Sequence, residues 1–183
     1  MRIPRLDPAT TALLIVDLQE RFAPAIHGWE RVVERTRLLI RAARQLDLPI
    51  WVTEQYPRGL GRTVADVADL LGEDVRPYEK VAFSACVDGL MNALREAGTR
   101  SVLVAGIEAH VCVMQTVLDL REGDIDVFVV VDAVSSRRAE DAELAFARMR
   151  TIGATLVSTE MALFELLQTA AHPHFKAIQN LIK

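Results

Sequence analysis

The strongest constraint on the fold is an alternation of short apolar runs with amphipathic stretches of helical spacing. The runs TALLIVDL (11–18), LPIWVT (48–53), SVLVAG (101–106), DVFVVVD (126–132) and ATLVS (154–158) are almost continuously apolar. A strand with one wet face would alternate, so these strands should be covered on both faces. Residues 29–46 read as a helix, with Val32, Thr36, Leu39, Ala43 and Leu46 recurring at a three-four spacing. Further helices are expected near 63–71, 87–97, 111–122, 138–151 and 160–170. Gly98, Gly123 and Gly153 stand where three of them should stop. The PRGLGR stretch (57–62) reads as a loop. VRPYEK (75–80) reads as a brief edge strand, because Pro77 is tolerated best at an edge. Strands and helices alternating at intervals of roughly 25 residues form right-handed βαβ units and a mostly parallel sheet. A closed eightfold barrel usually needs about 250 residues. The expected class is therefore α/β: a three-layer, doubly wound, Rossmann-like open sheet. One domain should span residues 1–183, with 171–183 as a C-terminal packing segment.

Charge narrows the partners. The chain has 21 basic and 25 acidic residues, a formal charge of -4 and no dense basic block. A small molecule fits that balance better than nucleic acid. No apolar run is long enough to span a membrane. The N-terminal stretch MRIPRLDPATTALLIVD puts basic residues before an apolar run, but it carries no small-residue cleavage pattern and ends in Asp17. It reads as a first strand rather than a signal peptide. Cys86 and Cys112 make neither a C-x-x-C pair nor a disulfide framework, which fits a reduced, cytoplasmic setting. Neither glycine-rich nucleotide motif is present, so no nucleotide cofactor is expected.

Open α/β sheets place ligands beyond the C-terminal ends of their strands. Asp17 ends the first run and Gln19 follows it; Lys80 follows the edge strand; Cys112 lies six residues past Gly106, where a strand gives way to a helix. Each has a plainer reading alone: a turn aspartate, a solvated lysine, a packed thiol. Together they can perform nucleophilic chemistry. A helix start and a nearby lysine favour thiolate, while a carboxylate can exchange the proton that must move. The histidines, His27, His110, His172 and His174, form no obvious alternative set. His110 fits either substrate contact or a brace for its loop. Cys86 reads as a small residue packed near a helix start, with redox sensitivity as its alternative. Asp132, Ser135, Ser136 and Arg137 suggest a cap for the next helix rather than a phosphate site. Phe22 and Tyr56 lie in strand-end loops and suit a pocket wall, whereas Trp29 and Trp51 suit packing.

Three separated segments resemble a known family: ALLIVDLQ around Asp17, Lys80 with the following AFS, and AGIEAHVCVMQTVLDL around Cys112. The chain resembles the isochorismatase-like cysteine hydrolase superfamily over nearly its whole length. TEQYPRGLG, DAVSSR and HPHFKAIQNLIK look especially like the isochorismatase domain-containing proteins. The resemblance implies six strands in the order 3-2-1-4-5-6, with Cys112 as nucleophile, Asp17 as general acid/base and Lys80 orienting and supporting the pair. It implies a cis Ile107–Glu108 peptide that aims the Glu108 N–H beside the Cys112 N–H as an oxyanion hole, and it places Gln19 near the aspartate. It also implies a homo-oligomer. Segment 171–183, with Phe175, Ile178, Leu181 and Ile182, could pack on another copy or on its own domain.

Members that cleave the vinyl ether of isochorismate lack the cysteine nucleophile, so Cys112 points to small amides or related C–N compounds. Nicotinamidases of this kind place an aspartate and histidines after the second strand to hold a metal. Here that region reads VTEQYPRGLGR, and no histidine occurs between residues 28 and 109. Glu54 alone cannot rebuild such a site. The expectation is an enzyme with neither metal nor cofactor. A thiol-dependent esterase, a peroxide-reactive protein and a non-catalytic ligand-binding or assembly protein remain open alternatives.

Overall fold

The computed structural model describes residues 3–183. Met1 and Arg2, which open the basic-then-apolar stretch, lie outside the described residues. Six strands form one sheet in the order β3-β2-β1-β4-β5-β6, and every neighbouring pair is parallel. They are β1 (Thr11–Val16), β2 (Ile50–Gln55), β3 (Tyr78–Lys80), β4 (Ser101–Ile107), β5 (Asp126–Ser135) and β6 (Thr155–Val157). The expected strand order is the observed one.

The helices are α1 (Trp29–Gln45), α2 (Pro57–Leu60), α3 (Ala65–Leu71), α4 (Asp88–Glu96), α5 (Met114–Glu122), α6 (Ala139–Thr151), α7 (Thr159–Leu167) and α8 (Phe175–Ile182). β1 and β4 are buried along their entire lengths, which is why they lack polar alternation. Leu13 and Ile15 join one core cluster with residues of α1, α3 and α7, while Ala12, Leu14 and Val16 join another with residues of α4, α5 and α6. That period-two division puts a helical layer on each face.

Three local expectations need correction. PRGLGR is not all loop: Pro57 starts a single helical turn, where its missing N–H costs nothing. The strand expected to end at Asp132 runs to Ser135 through a register shift, so Asp132 lies within it. The helix expected from residue 111 begins instead with a π-helical turn, Ala109–Val113, before α5. The C-terminal segment docks on its own domain: Ile178 is fully buried in the first cluster, and Phe175, Leu181 and Ile182 pack against it. Its apolar face therefore supplies no argument for an oligomer. No helix among the described residues is long and apolar enough to cross a membrane.

Candidate active site

The strand order reverses direction between β1 and β4, the switch point where open α/β sheets build their clefts. Asp17 follows β1, Lys80 closes β3, and β4 leads through a cis Ile107–Glu108 peptide into the turn that carries Cys112. β1 and β4 meet tightly because residue 106 is glycine. Gly106 has φ +116°, and a Cβ there would lie 2.0 Å from the Val16 carbonyl oxygen. A side chain would force apart the two strand ends that bring Asp17 and the Cys112 turn together.

Asp17 itself adopts φ +53°, a conformation that aspartate tolerates better than most residues. Its carboxylate is fully buried. Thr53 Oγ1 donates to Oδ1 at 2.8 Å, and Lys80 Nζ donates to Oδ2 at 2.7 Å. Lys80 reaches across the end of β2. Its other bonds go to Gln55 Oε1 at 2.9 Å and to the carbonyls of Phe83 at 2.9 Å and Ala82 at 3.3 Å. The Cys112 thiol completes the group: it lies near enough to Asp17 and Lys80 for both charges to act on it. The structure thus brings Asp17, Lys80 and Cys112 together.

Electrostatics set the resting protonation. Burial raises the Asp17 carboxyl above its ordinary value of 3.8, while Lys80 and Thr53 pull it back in part. Burial also pushes the Cys112 thiol up to about 12; the Asp17 charge adds to that rise and Lys80 opposes it. These influences run against the thiolate that the helix start and Lys80 favour. Desolvation and the adjacent carboxylate outweigh the lysine and any gain from the helix start. The arrangement sets a thiol whose proton is held tightly beside a buried carboxyl group.

Surrounding residues hold the parts. The Gln19 amide donates to the carbonyls of Gln55 (2.9 Å) and Gly61 (2.7 Å) and accepts from the Gln55 N–H (2.7 Å), tying the end of β1 to that of β2. Its own backbone N–H donates to the Asp17 carbonyl at 2.8 Å, so it supports the aspartate through the backbone. Glu108 Oε2 accepts from Arg137 N (3.1 Å) and Nε (2.9 Å), and His110 Nδ1 pairs with Ser136 Oγ at 2.9 Å. These contacts clamp the Cys112 turn to the loop before α6. The expected capping role fails: Arg138 is the N-cap of α6 without a side-chain cap bond, and Ser135 Oγ donates to the His27 carbonyl at 2.6 Å. Asp132 instead accepts from the Thr159 N–H (2.8 Å) and hydroxyl (3.0 Å) at the start of α7.

Phe22 packs half-buried against the first core cluster. Tyr56 is exposed and borders a groove of about 360 Å³ with Pro57, Arg58, Glu79, Lys80 and Val81. Trp51 makes an edge contact with Tyr78, and Trp29 packs on the core, as packing residues should. Cys86 is half-buried, and burial pushes its thiol up to about 11.

Sequence reasoning missed Thr53, Gln55 and Thr116. The first two could have been found: polar residues two apart at the end of an apolar strand share one face. Thr116 carries no comparable signal, since a threonine inside a helical pattern is unremarkable.

A family model described as the isochorismatase domain matches residues 11–161. Isochorismatase domain-containing protein 2A of Mus musculus is 42% identical over 180 residues, covering 98% of this chain and 85% of that protein. A solved structure described as the MAR1 ribonuclease of Caenorhabditis elegans shares 43% identity and a TM-score of 0.95, covering 98% of this chain and 92% of the other. An octameric hydrolase of unknown specificity from Escherichia coli, the YcaC gene product, superposes with a TM-score of 0.85 at 23% identity, over 100% of this chain and 96% of that one. That last likeness carries the fold alone. The chain belongs to the isochorismatase family of the cysteine hydrolase superfamily, among the isochorismatase domain-containing proteins.

Proposed function

We propose that the chain is a cysteine-dependent hydrolase of a small amide or related C–N compound, acting through a covalent acyl-enzyme. The observation that carries this reading is the closeness of the Cys112 thiol to Asp17, a buried carboxylate that Lys80 and Thr53 hold by hydrogen bonds. As Sγ attacks the carbonyl carbon, Asp17 accepts the thiol proton. The backbone N–H groups of Glu108 and Cys112 stabilise the tetrahedral oxyanion. Asp17 then returns the proton to the leaving amine as the C–N bond breaks. In the second half it takes a proton from water, which attacks the thioester and releases the carboxylic acid and free thiol. No step uses a metal, and both oxygens of Glu54 are already engaged by Thr63 and Arg62.

The ribonuclease description of a relative at 43% identity raises a second reading. Phosphodiester chemistry calls for a free cation at the phosphate and room for a polymer. Here Cys112 is 6% exposed, and Lys80 spends its ammonium on Asp17, Gln55, Ala82 and Phe83. A small, neutral acyl substrate suits that enclosure better. An amide and ester panel with intact-mass analysis tests the proposal. Wild type should gain a substrate-derived mass on Cys112 that Cys112→Ala lacks, and turnover should survive chelation. Amide turnover by folded Cys112→Ala would exclude the mechanism, and ester turnover alone would favour the esterase reading. A homo-oligomer is the companion proposal: Val81, Phe83, Leu144 and Met161 are large apolar residues left exposed. Light scattering that finds only monomer at micromolar concentration would reject it.

A further inference from the structure

Val81, Ala82 and Phe83 follow Lys80, and all three are exposed in the single chain, so packing within the subunit does not hold them in place. It must nevertheless stay fixed, because its carbonyls take two of the hydrogen bonds that position the Lys80 ammonium. Its near end is tied by Gln55, which donates to the Val81 carbonyl at 3.0 Å. The far end is anchored by Ala85, which is fully buried in the second core cluster, and by one buried hydroxyl. Thr116 Oγ1 accepts from the Ala85 N–H at 2.8 Å and donates to the Cys112 carbonyl at 2.6 Å. Thr116 is fully buried, and Cys86 Sγ adds a weak bond to its carbonyl at 3.7 Å.

Threonine inside a helix often bonds back to the carbonyl four residues earlier, and that bond alone would mean little. The Ala85 bond changes its meaning. One hydroxyl uses its only proton on the nucleophile's own peptide and a lone pair on the lysine segment. We infer that Thr116 is a positioning residue that locks the lysine segment to the Cys112 turn and so sets the Lys80–Asp17–Cys112 geometry. The inference rests on the proposed thiol mechanism and adds to it: the two halves of the site have a shared fastener. Valine has nearly the same shape and can make neither bond; serine can make both.

The test uses two reactions of the same sulfur. Acylation by p-nitrophenyl acetate, read as the p-nitrophenolate burst, needs the oxyanion donors and the proton acceptor in register. Alkylation by iodoacetamide, mapped to Cys112 by peptide mass, needs only an accessible sulfur that can ionise, not the oxyanion donors. Thr116→Val should slow acylation at least tenfold while Cys112 alkylation stays within threefold of wild type or rises. Thr116→Ser should restore acylation to within threefold. If the valine variant does not fold, Thr116→Ala against Thr116→Ser gives the same comparison. Acylation within twofold of wild type in Thr116→Val, or an equal fall in both reactions, overturns the inference. A burst retained by Cys112→Ala would instead sink the thiol mechanism, so the two failures are separable.

Discussion

Asp17 and Glu54 are both buried carboxylates at the ends of neighbouring strands, and their partners differ in one decisive respect. Glu54 Oε1 accepts from the Thr63 N–H (2.7 Å) and hydroxyl (2.8 Å), and Oε2 accepts from Arg62 Nη1 at 2.8 Å. None of these donors gives up its proton near neutral pH. The result is a fastened loop. Asp17 is likewise held by Thr53 and Lys80, but it also has a thiol, Cys112, for a neighbour. A buried carboxylate therefore does not mark chemistry by itself; the acidity and nucleophilicity of its neighbour do.

The largest expected effect separates the two directly. Asp17→Asn keeps the side chain's shape and its tolerance of positive φ, yet it removes the proton acceptor. Amide turnover should fall by about 10²–10⁴, the usual contribution of general acid–base catalysis. Glu54→Gln should stay within a few-fold of wild type. Steady-state kinetics on the same substrate check both. Equal losses would break the comparison.

A second, smaller contrast concerns stability. Lys80→Met leaves Asp17 buried without its countercharge, and breaking such a pair costs about 3–5 kcal/mol. Arg62 is largely in solvent, where water can replace its contact with Glu54. Arg62→Met should therefore shift the urea midpoint far less. A Lys80→Met loss no larger than that of Arg62→Met would mean that Asp17 is protonated or hydrated in the fold.

The same comparison explains what was legible in the sequence. Asp17, Lys80 and Cys112 were legible only in combination, through three motifs in the order of a known family, since each alone has a plainer reading. β1 and β4 were readable because double-sided burial leaves continuous apolar runs. Thr53 and Thr116 were not, since threonine suits β-strands and is tolerated in helices; only tertiary structure reveals what their hydroxyls meet. The bulge in β5 and the π-helical turn at Cys112 were also hidden, because each comes from close packing rather than local propensity. The thiolate expectation left out burial for a related reason. Proximity to a helix start can be counted along a chain, whereas desolvation depends on everything folded around the sulfur.

The finest test of the contrast is the pH profile. In the proposed mechanism the reactive form pairs an ionised Asp17 with a protonated Cys112. Lowering the pH through the Asp17 pKa removes the proton acceptor, so kcat/KM should fall on the acid side. That limb should lie above 3.8, because burial raises the carboxyl. On the alkaline side the thiol stays protonated until about 12, so no second limb should arise from Cys112 below pH 10. An alkaline limb near the ordinary thiol value, tracking Cys112 alkylation, would show that the sulfur is less buried than its surroundings imply. Asp17→Asn sharpens the sign. It removes the charge that raises the thiol and leaves Lys80, which lowers it. Cys112 alkylation should then increase at pH 8 even as amide turnover falls, since more thiolate is present and no group remains to protonate the amine. Glu54→Gln should change neither the acid limb nor the alkylation rate, because Glu54 is not among the groups that shift Asp17 or Cys112.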